Sequence, residues 1–365
     1  MEYGSVLELD DLSKYKISEE PGSFTLPFMK NKSCRPDINF YQSGRNAIEE
    51  LLLFLKKKKG INKVIIPDFV CQTVKDAAVR ASVETDEYIV NKDYEYSVKE
   101  IDSKIGKDSC VYLCHFFGQP ISEDVICAAK RWMDAGTIVI EDITLSLLSE
   151  NPKGVGFGNY ILGSIRKWFP IPDGGFLSAY NSELPKEPEK NSVSKYTDYY
   201  MVVQTLKREY ITGGCKDKAL KDVYMSYYGL SIKELFSDYR IYPMSEWSYN
   251  YLQNVSVEEV LAKRIENYDC LYDRLKGIKG IQLKKPRKEG YLPFGMVLDV
   301  SDRDDLLNYL IQNDIYCNVH WRLGSSAKNP DLEYLSGRSI TVPCDQRYTK
   351  EDMEHIAKVI EKRYK

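Results

Sequence analysis

Histidine is nearly absent from this sequence. Three residues in 365 carry it, His115, His320 and His355, and none stands three or four positions from another histidine. No zinc site of ordinary spacing is therefore expected. Long apolar runs are lacking too. The best stretch, Leu51 to Leu55, stops at four lysines, well short of the 18 or so residues a membrane span needs. The opening MEYGSVLELDD is acidic and has no apolar centre of the signal-peptide kind. Neither sign of charge dominates: Lys+Arg 51 against Asp+Glu 54 leaves a formal charge of -3, which gives no basic footprint for nucleic acid. Nine cysteines, at 34, 71, 110, 114, 127, 215, 270, 317 and 344, show no paired spacing. An odd, scattered set reads as free thiols in a reducing compartment, and hence as a cytoplasmic protein. Cys110 and Cys114 bracket a β-rich run that puts both on one buried face.

What is present is the make-up of a folded protein. Hydrophobic residues reach 43% and charged ones 29%, and the length suits about two domains. Residues 1–40 hold Pro21, Pro27 and Pro36 and read as an N-terminal arm. Ile48, Leu51, Leu52 and Leu55 recur at helical spacing and predict a helix over 46–58. Short apolar strands follow at 64–66, 111–117 and 137–140, the last ending in Glu141-Asp142, with a helix over 122–134 between the second and third. Two more strands fit 160–165 and 176–180. Apolar strands alternating with helices predict an α/β fold, a large three-layer domain with a mostly parallel sheet. Ligands of such sheets sit beyond the carboxyl ends of the strands, where Asp142 falls. From 181 to about 231 the pattern weakens into a mainly helical excursion interrupted by Gly213-Gly214. A long helix over 257–275 then leads to a smaller C-terminal α+β domain with strands at 295–300 and 315–321 and helices at 302–313 and 350–364. The expected units are thus 1–40, 41–235 and 236–365.

The stretch Gly163-Ser-Ile-Arg-Lys-Trp-Phe-Pro-Ile-Pro-Asp-Gly-Gly-Phe176 carries the most chemistry. A lysine just past a buried strand, beside Ser164, Arg166 and two aromatics, is oddly placed for a solvated charge. Burial or a neighbouring cation makes such a lysine nucleophilic. The alternative is a strand-end loop with incidental charge. Asp142, one strand earlier, points to a site with a lysine for an imine, a carboxylate for a pyridine nitrogen and a phosphate cup. Glu141 reads as a supporting residue. The cup is offered by Tyr41-Gln-Ser-Gly-Arg-Asn-Ala47, whose Ser43 and Gly44 directly precede a predicted helix and turn its free amides toward an anion. Read alone, the same residues are an ordinary helix cap. Gly154-Val-Gly156-Phe-Gly158 imitates a dinucleotide fingerprint, but it precedes a strand, the reverse of the required context.

Taken in order, Ser-Gly-Arg-Asn-Ala, Val-Ile-Ile-Pro, His115-Phe-Phe-Gly-Gln-Pro120, Ile-Glu-Asp and Ser-x-x-Lys with a following Gly-Gly resemble the DegT/DnrJ/StrS-type aminotransferases. The resemblance covers residues 38–180 and resumes near 236, with Ile315-Tyr-Cys-Asn-Val-His-Trp321 and Arg338-Ser-Ile-Thr-Val-Pro343. It implies a fold-type I pyridoxal phosphate enzyme that aminates nucleotide-linked keto sugars with glutamate as donor, as a homodimer. By resemblance Lys167 is the imine-forming lysine, Asp142 the pyridinium partner and Ser164 a phosphate ligand. Ser43, Gly44 and Arg45 form the backbone cradle of the phosphate. Three positions depart from the family. Leu145 stands where a His or Gln lies close to the cofactor ring. Ser237-Asp238-Tyr239-Arg240 replaces a run that supplies an Asn to the partner subunit's phosphate. Cys71 occupies the place of the aromatic that covers the ring, with Phe69 or Phe117 as substitutes. Two alternatives stay open: other chemistry on the same fold and cofactor, or a scaffold that has lost turnover. Lys167 speaks against the sugar dehydratases of the family, which are known for replacing it with histidine.

Overall fold

The computed structural model describes residues 2–16, 24–30, 36–150, 153–189, 194–213, 217–284, 287–323 and 329–365. The chain opens with β1 (Tyr3–Gly4), a short helix α1 (Pro27–Lys30) and β2 (Asp37–Tyr41). The helix expected over 46–58 is α2 (Gly44–Lys59). Ser43 caps it by accepting from the Asn46 amide, and Gly60 ends it in the left-handed conformation at φ 69°. Four lysines in its last turn meet the negative end of its dipole. Next come β3 (Lys63–Pro67), α3 (Gln72–Arg80), β4 (Glu84–Tyr88), α4 (Val98–Lys104), β5 (Ser109–Cys114), α5 (Glu123–Asp134), β6 (Ile138–Asp142), β7 (Tyr160–Ser164) and β8 (Gly175–Ala179).

Seven of these strands form one sheet in the order β2-β8-β7-β6-β5-β3-β4. The block from β4 to β7 is parallel, and β8 and β2 add antiparallel at one edge. β5, β7 and β8 are buried along their whole length, as a sheet covered on both faces requires. Residues 37–40, read from the sequence as part of the arm, therefore belong to the edge of this sheet. All seven described cysteines are free, and Cys110 and Cys114 are buried. Cys34 and Cys215 lie outside the described residues, as does Gly214 of the Gly-Gly pair.

The helical excursion is an antiparallel pair, α6 (Lys195–Thr212) and α7 (Lys218–Ser237), joined by tyrosine contacts such as Tyr200–Tyr228 and Tyr210–Tyr224. After α8 (Glu246–Asn254), the long helix α9 (Val257–Leu275) falls where its periodicity put it. Its first turns pack with Met244 and Tyr251 against the large sheet, and Tyr268, Leu271 and Leu275 enter the C-terminal core. That core is built on β9 (Gln282–Leu283), β10 (Met296–Asp299), α10 (Arg303–Gln312), β11 (Ile315–Tyr316), α11 (Pro330–Arg338), β12 (Ser339–Val342) and α12 (Lys350–Tyr364). The antiparallel order is β12-β10-β9. The strand expected over 315–321 is only two residues long and pairs with β1, so the start of the chain is stitched to the C-terminal unit. No helix among the described residues is long and apolar enough to cross a membrane.

Candidate active site

β6 and β7 are parallel neighbours, and both end at the same edge of the sheet. Their last residues are Asp142 and Ser164, and a single 3-10 turn, Ile165–Lys167, follows β7. Asp142 is buried and accepts two hydrogen bonds: from the Tyr112 hydroxyl at 2.6 Å and from the Thr144 amide at 2.8 Å. Tyr112 is the neighbour the sequence reading missed. Its phenol is raised well above its ordinary value by burial and then by the Asp142 charge. Cys114, paired with Asp142 across the β5–β6 ladder, feels both ends of the site. Burial and Asp142 raise its thiol, and the Lys167 ammonium opposes them. Lys167 itself makes no hydrogen bond or ion pair among the described residues.

The other half of the site comes from the start of α2. A Cβ built on Gly44 would lie 3.4 Å from the Ser164 Cβ, and one on Gly175 would lie 2.2 Å from the Ser43 carbonyl carbon. Gly44, at the start of α2, and Gly175, at the start of β8, thus let the Ser43–Gly44 backbone lie directly against the end of β7 and the start of β8. The first amides of a helix have no intrahelical partner, so the turn presents free donors beside the Ser164 hydroxyl. Gln42, just before it, keeps a buried Nε2 without a partner among the described residues. Unpaired amides at a helix start, a buried carboxylate and a lysine on the turn after the next strand are the donor set a pyridoxal phosphate would need. Ser43–Gly44 lies against Ser164, Thr144 links Ser164 to Asp142, and Lys167 sits on the turn that follows Ser164.

The remaining expected residues are placed less directly. The Arg45 guanidinium turns away, donating to the Leu235 carbonyl and lying 5.0 Å from the Phe236 ring, so only its backbone serves the cradle. Leu145 is fully buried in the core of the large sheet. Phe69 is fully buried in a cluster with Tyr94, Phe116 and Trp321, whose ring lies 5.1 Å away. Cys71 stays half-buried at the start of α3 and accepts from the Thr73 hydroxyl at 3.1 Å. In the segment that departs from the family, Asp238 pairs with Arg240 and Tyr242, and the Arg240 carbonyl accepts from Asn46 of α2 at 3.3 Å.

His320 is a second residue the sequence reading did not place at the site. Its Nδ1 lies 3.1 Å from the Thr341 hydroxyl, and its ring meets Phe117 and Phe294 edge-on. Burial, and then the Lys167 charge, push it down to about 3, so it stands neutral beside the lysine. The Gly154–Gly158 run also finds its use. The amides of Gly156, Phe157 and Gly158 all donate to the buried Glu141 carboxylate, which lies 2.8 Å from His115 Nε2. Glu141 is thus fully engaged within the fold at the end of β6, beside Asp142.

By sequence the chain matches no family model and no curated protein. By structure it superposes on solved aminotransferases. One is the sugar aminotransferase CalS13 from Micromonospora echinospora, with 18% identity, a TM-score of 0.62, and coverage of 89% of this chain and 87% of that one. Another is PseC of Helicobacter pylori, an aminotransferase involved in the biosynthesis of pseudoaminic acid, with 14% identity, a TM-score of 0.65, and coverage of 92% and 88%. A third is a DegT DnrJ EryC1 StrS aminotransferase from Brucella abortus, with 15% identity, a TM-score of 0.61, and coverage of 90% and 86%. The chain has the fold these aminotransferases share: a large domain with a mostly parallel seven-stranded sheet and a smaller C-terminal α+β unit.

Proposed function

We propose that this chain is a pyridoxal phosphate-dependent aminotransferase of the DegT/DnrJ/StrS kind, moving an amino group from glutamate to a nucleotide-linked keto sugar. The observation that supports this reading is that Asp142 and Ser164 end adjacent strands, with Lys167 on the turn after Ser164 and the Ser43–Gly44 backbone against Ser164. When bound, the cofactor supplies an aldehyde for amines and a pyridine ring that draws electrons from the carbon beside the amine. The chain's own residues do the rest. Lys167 would hold the aldehyde end, and its Nζ would move the proton. Asp142 keeps the ring nitrogen protonated, and Tyr112 and Thr144 aim its carboxylate. The amides of Gly44 and Arg45, with the Ser164 hydroxyl, bind the phosphate. The buried ring of His320 and the Phe117 beside it exclude water on the C-terminal side.

The free thiols agree with a cytoplasmic enzyme. A homodimer agrees with the exposed apolar side chains of Phe236, Tyr239, Trp247 and Tyr249 around the end of α7 and in α8. The test is a half-reaction. Protein loaded with pyridoxal phosphate and mixed with glutamate should release one equivalent of 2-oxoglutarate per site. Cofactor uptake with no 2-oxoglutarate would favour the silent scaffold, and no uptake would end the reading.

A further inference from the structure

The turn that carries Lys167 is gripped at both ends by one helix. Its base is closed by the amides of Ile165 and Arg166, which both donate to the Gly174 carbonyl. On the entering side, the Arg166 guanidinium lies over the rings of Tyr196 and Tyr200, at 5.6 and 5.7 Å. On the leaving side, the Asp173 carboxylate is 1% exposed and accepts from the Thr197 hydroxyl at 2.9 Å. Tyr196, Thr197 and Tyr200 all belong to the first two turns of α6. Tyr196 also donates to the Pro172 carbonyl at 3.0 Å. Asp173 is held further by the Ser245 amide and hydroxyl, at 3.1 and 2.8 Å, and by the Ser248 hydroxyl, both at the start of α8.

These contacts are costly ones to build. The Asp173 carboxylate is buried and the Arg166 side chain half-buried, with no ion pair between them: hydroxyls of α6 and the start of α8 meet the carboxylate, and tyrosine rings of α6 meet the guanidinium. Such groups are expensive to bury unless every partner is in place, so the arrangement tolerates one geometry of the turn and few others. The Arg166 Nε has no partner among the described residues, so the guanidinium is fixed by ring faces.

We propose that Arg166 and Asp173 are positioning residues for Lys167: a half-buried guanidinium and a buried carboxylate, they lock both ends of its turn onto α6 and so set the approach of the amine. The proposal rests on the aminotransferase reading for what the amine does, but not for the clamp itself. Two measurements on Asp173→Asn, Arg166→Gln and Arg166→Lys separate the possibilities. The first is hydrogen exchange over 164–175 in cofactor-free protein, which should rise at least tenfold in Asp173→Asn and Arg166→Gln and much less in Arg166→Lys.

The second measurement compares pyridoxamine phosphate, which has no aldehyde, with covalent capture of pyridoxal phosphate by Lys167. Affinity for the amine form should stay within about threefold of wild type, while capture slows at least tenfold, with partial rescue in Arg166→Lys. If both forms are lost together, the two residues serve the phosphate or the fold at large and the proposal falls. It falls equally if exchange and capture are unchanged. If Arg166→Gln does not fold, Tyr200→Phe and Asp173→Asn test the same clamp from its other members. A wild type that takes up neither form would overturn the aminotransferase reading alone, and hydrogen exchange would then decide the clamp.

Discussion

Tyr112 and Asp142 meet through a 2.6 Å hydrogen bond at the end of neighbouring parallel strands, in a place where neither side chain reaches bulk water. The phenol holds Oδ2 while the Thr144 amide holds Oδ1, so both carboxylate oxygens are fixed in place. Such a bond to a charged acceptor is worth about 1.5–3 kcal/mol. Tyr112→Phe should therefore fold, and its affinity for the amine form of the cofactor should fall roughly tenfold. Equilibrium titration checks this, and an unchanged affinity would remove Tyr112 from the site.

Gly175→Ala tests the cradle. The added Cβ would fall 2.2 Å from the Ser43 carbonyl carbon and 2.4 Å from the Gly44 nitrogen, both backbone atoms with little room to yield. Overpacking of this kind costs about 1–3 kcal/mol. The variant should unfold earlier in urea and bind the phosphorylated cofactor far more weakly, while its affinity for pyridoxal, which lacks the phosphate, changes little.

Glu141→Gln tests the support beneath the site. The carboxylate takes three consecutive amides and His115 at zero exposure, so removing it leaves buried donors short of an acceptor. A loss of about 3 kcal/mol in denaturant unfolding is expected. A loss below about 1 kcal/mol would mean that the amides find other partners.

Lys207 gives a pH dependence. It is fully buried, donates to the carbonyls of Gly4 and Val6, and lies 3.7 Å from Glu8, with Arg347 close by. Burial, then Arg347, lower it from 10.5 to about 8. A base lowered in the folded state binds fewer protons than in the unfolded chain between pH 8 and 10.5. Its burial cost is therefore full below pH 8 and is relieved as the pH rises through that window, by up to about 3 kcal/mol. Wild type should gain stability relative to Lys207→Met between pH 7.5 and 10 in urea unfolding. Parallel curves would show that Lys207 keeps an ordinary affinity for protons.

Much of this arrangement was legible in the chain, for identifiable reasons. Helices α9 and α12 carry strong apolar periodicity and lie where that periodicity put them. The parallel strands read as short apolar runs because both faces of the sheet are covered. β4 did not, because Glu84-Thr-Asp-Glu-Tyr88 is a mostly exposed strand at the sheet edge, polar where it meets water. The arm looked irregular because its partners are distant: Gln204 and Lys207 of α6 and Tyr348 hold its backbone, and no local pattern encodes them. Tyr112, His320 and the clamp around Arg166 stayed hidden for the same reason. Each acts through a partner at least 20 positions away in sequence.

The central claim is that Lys167 is the amine that holds the cofactor. Reduction of the pyridoxal phosphate-loaded wild type with borohydride, followed by peptide mapping, tests it most directly. The cofactor's mass should appear on the peptide that contains Lys167 and on no other, and Lys167→Ala should remain unlabelled while still binding pyridoxamine phosphate. A label on another lysine, or loaded protein that gives no label at all, would contradict it.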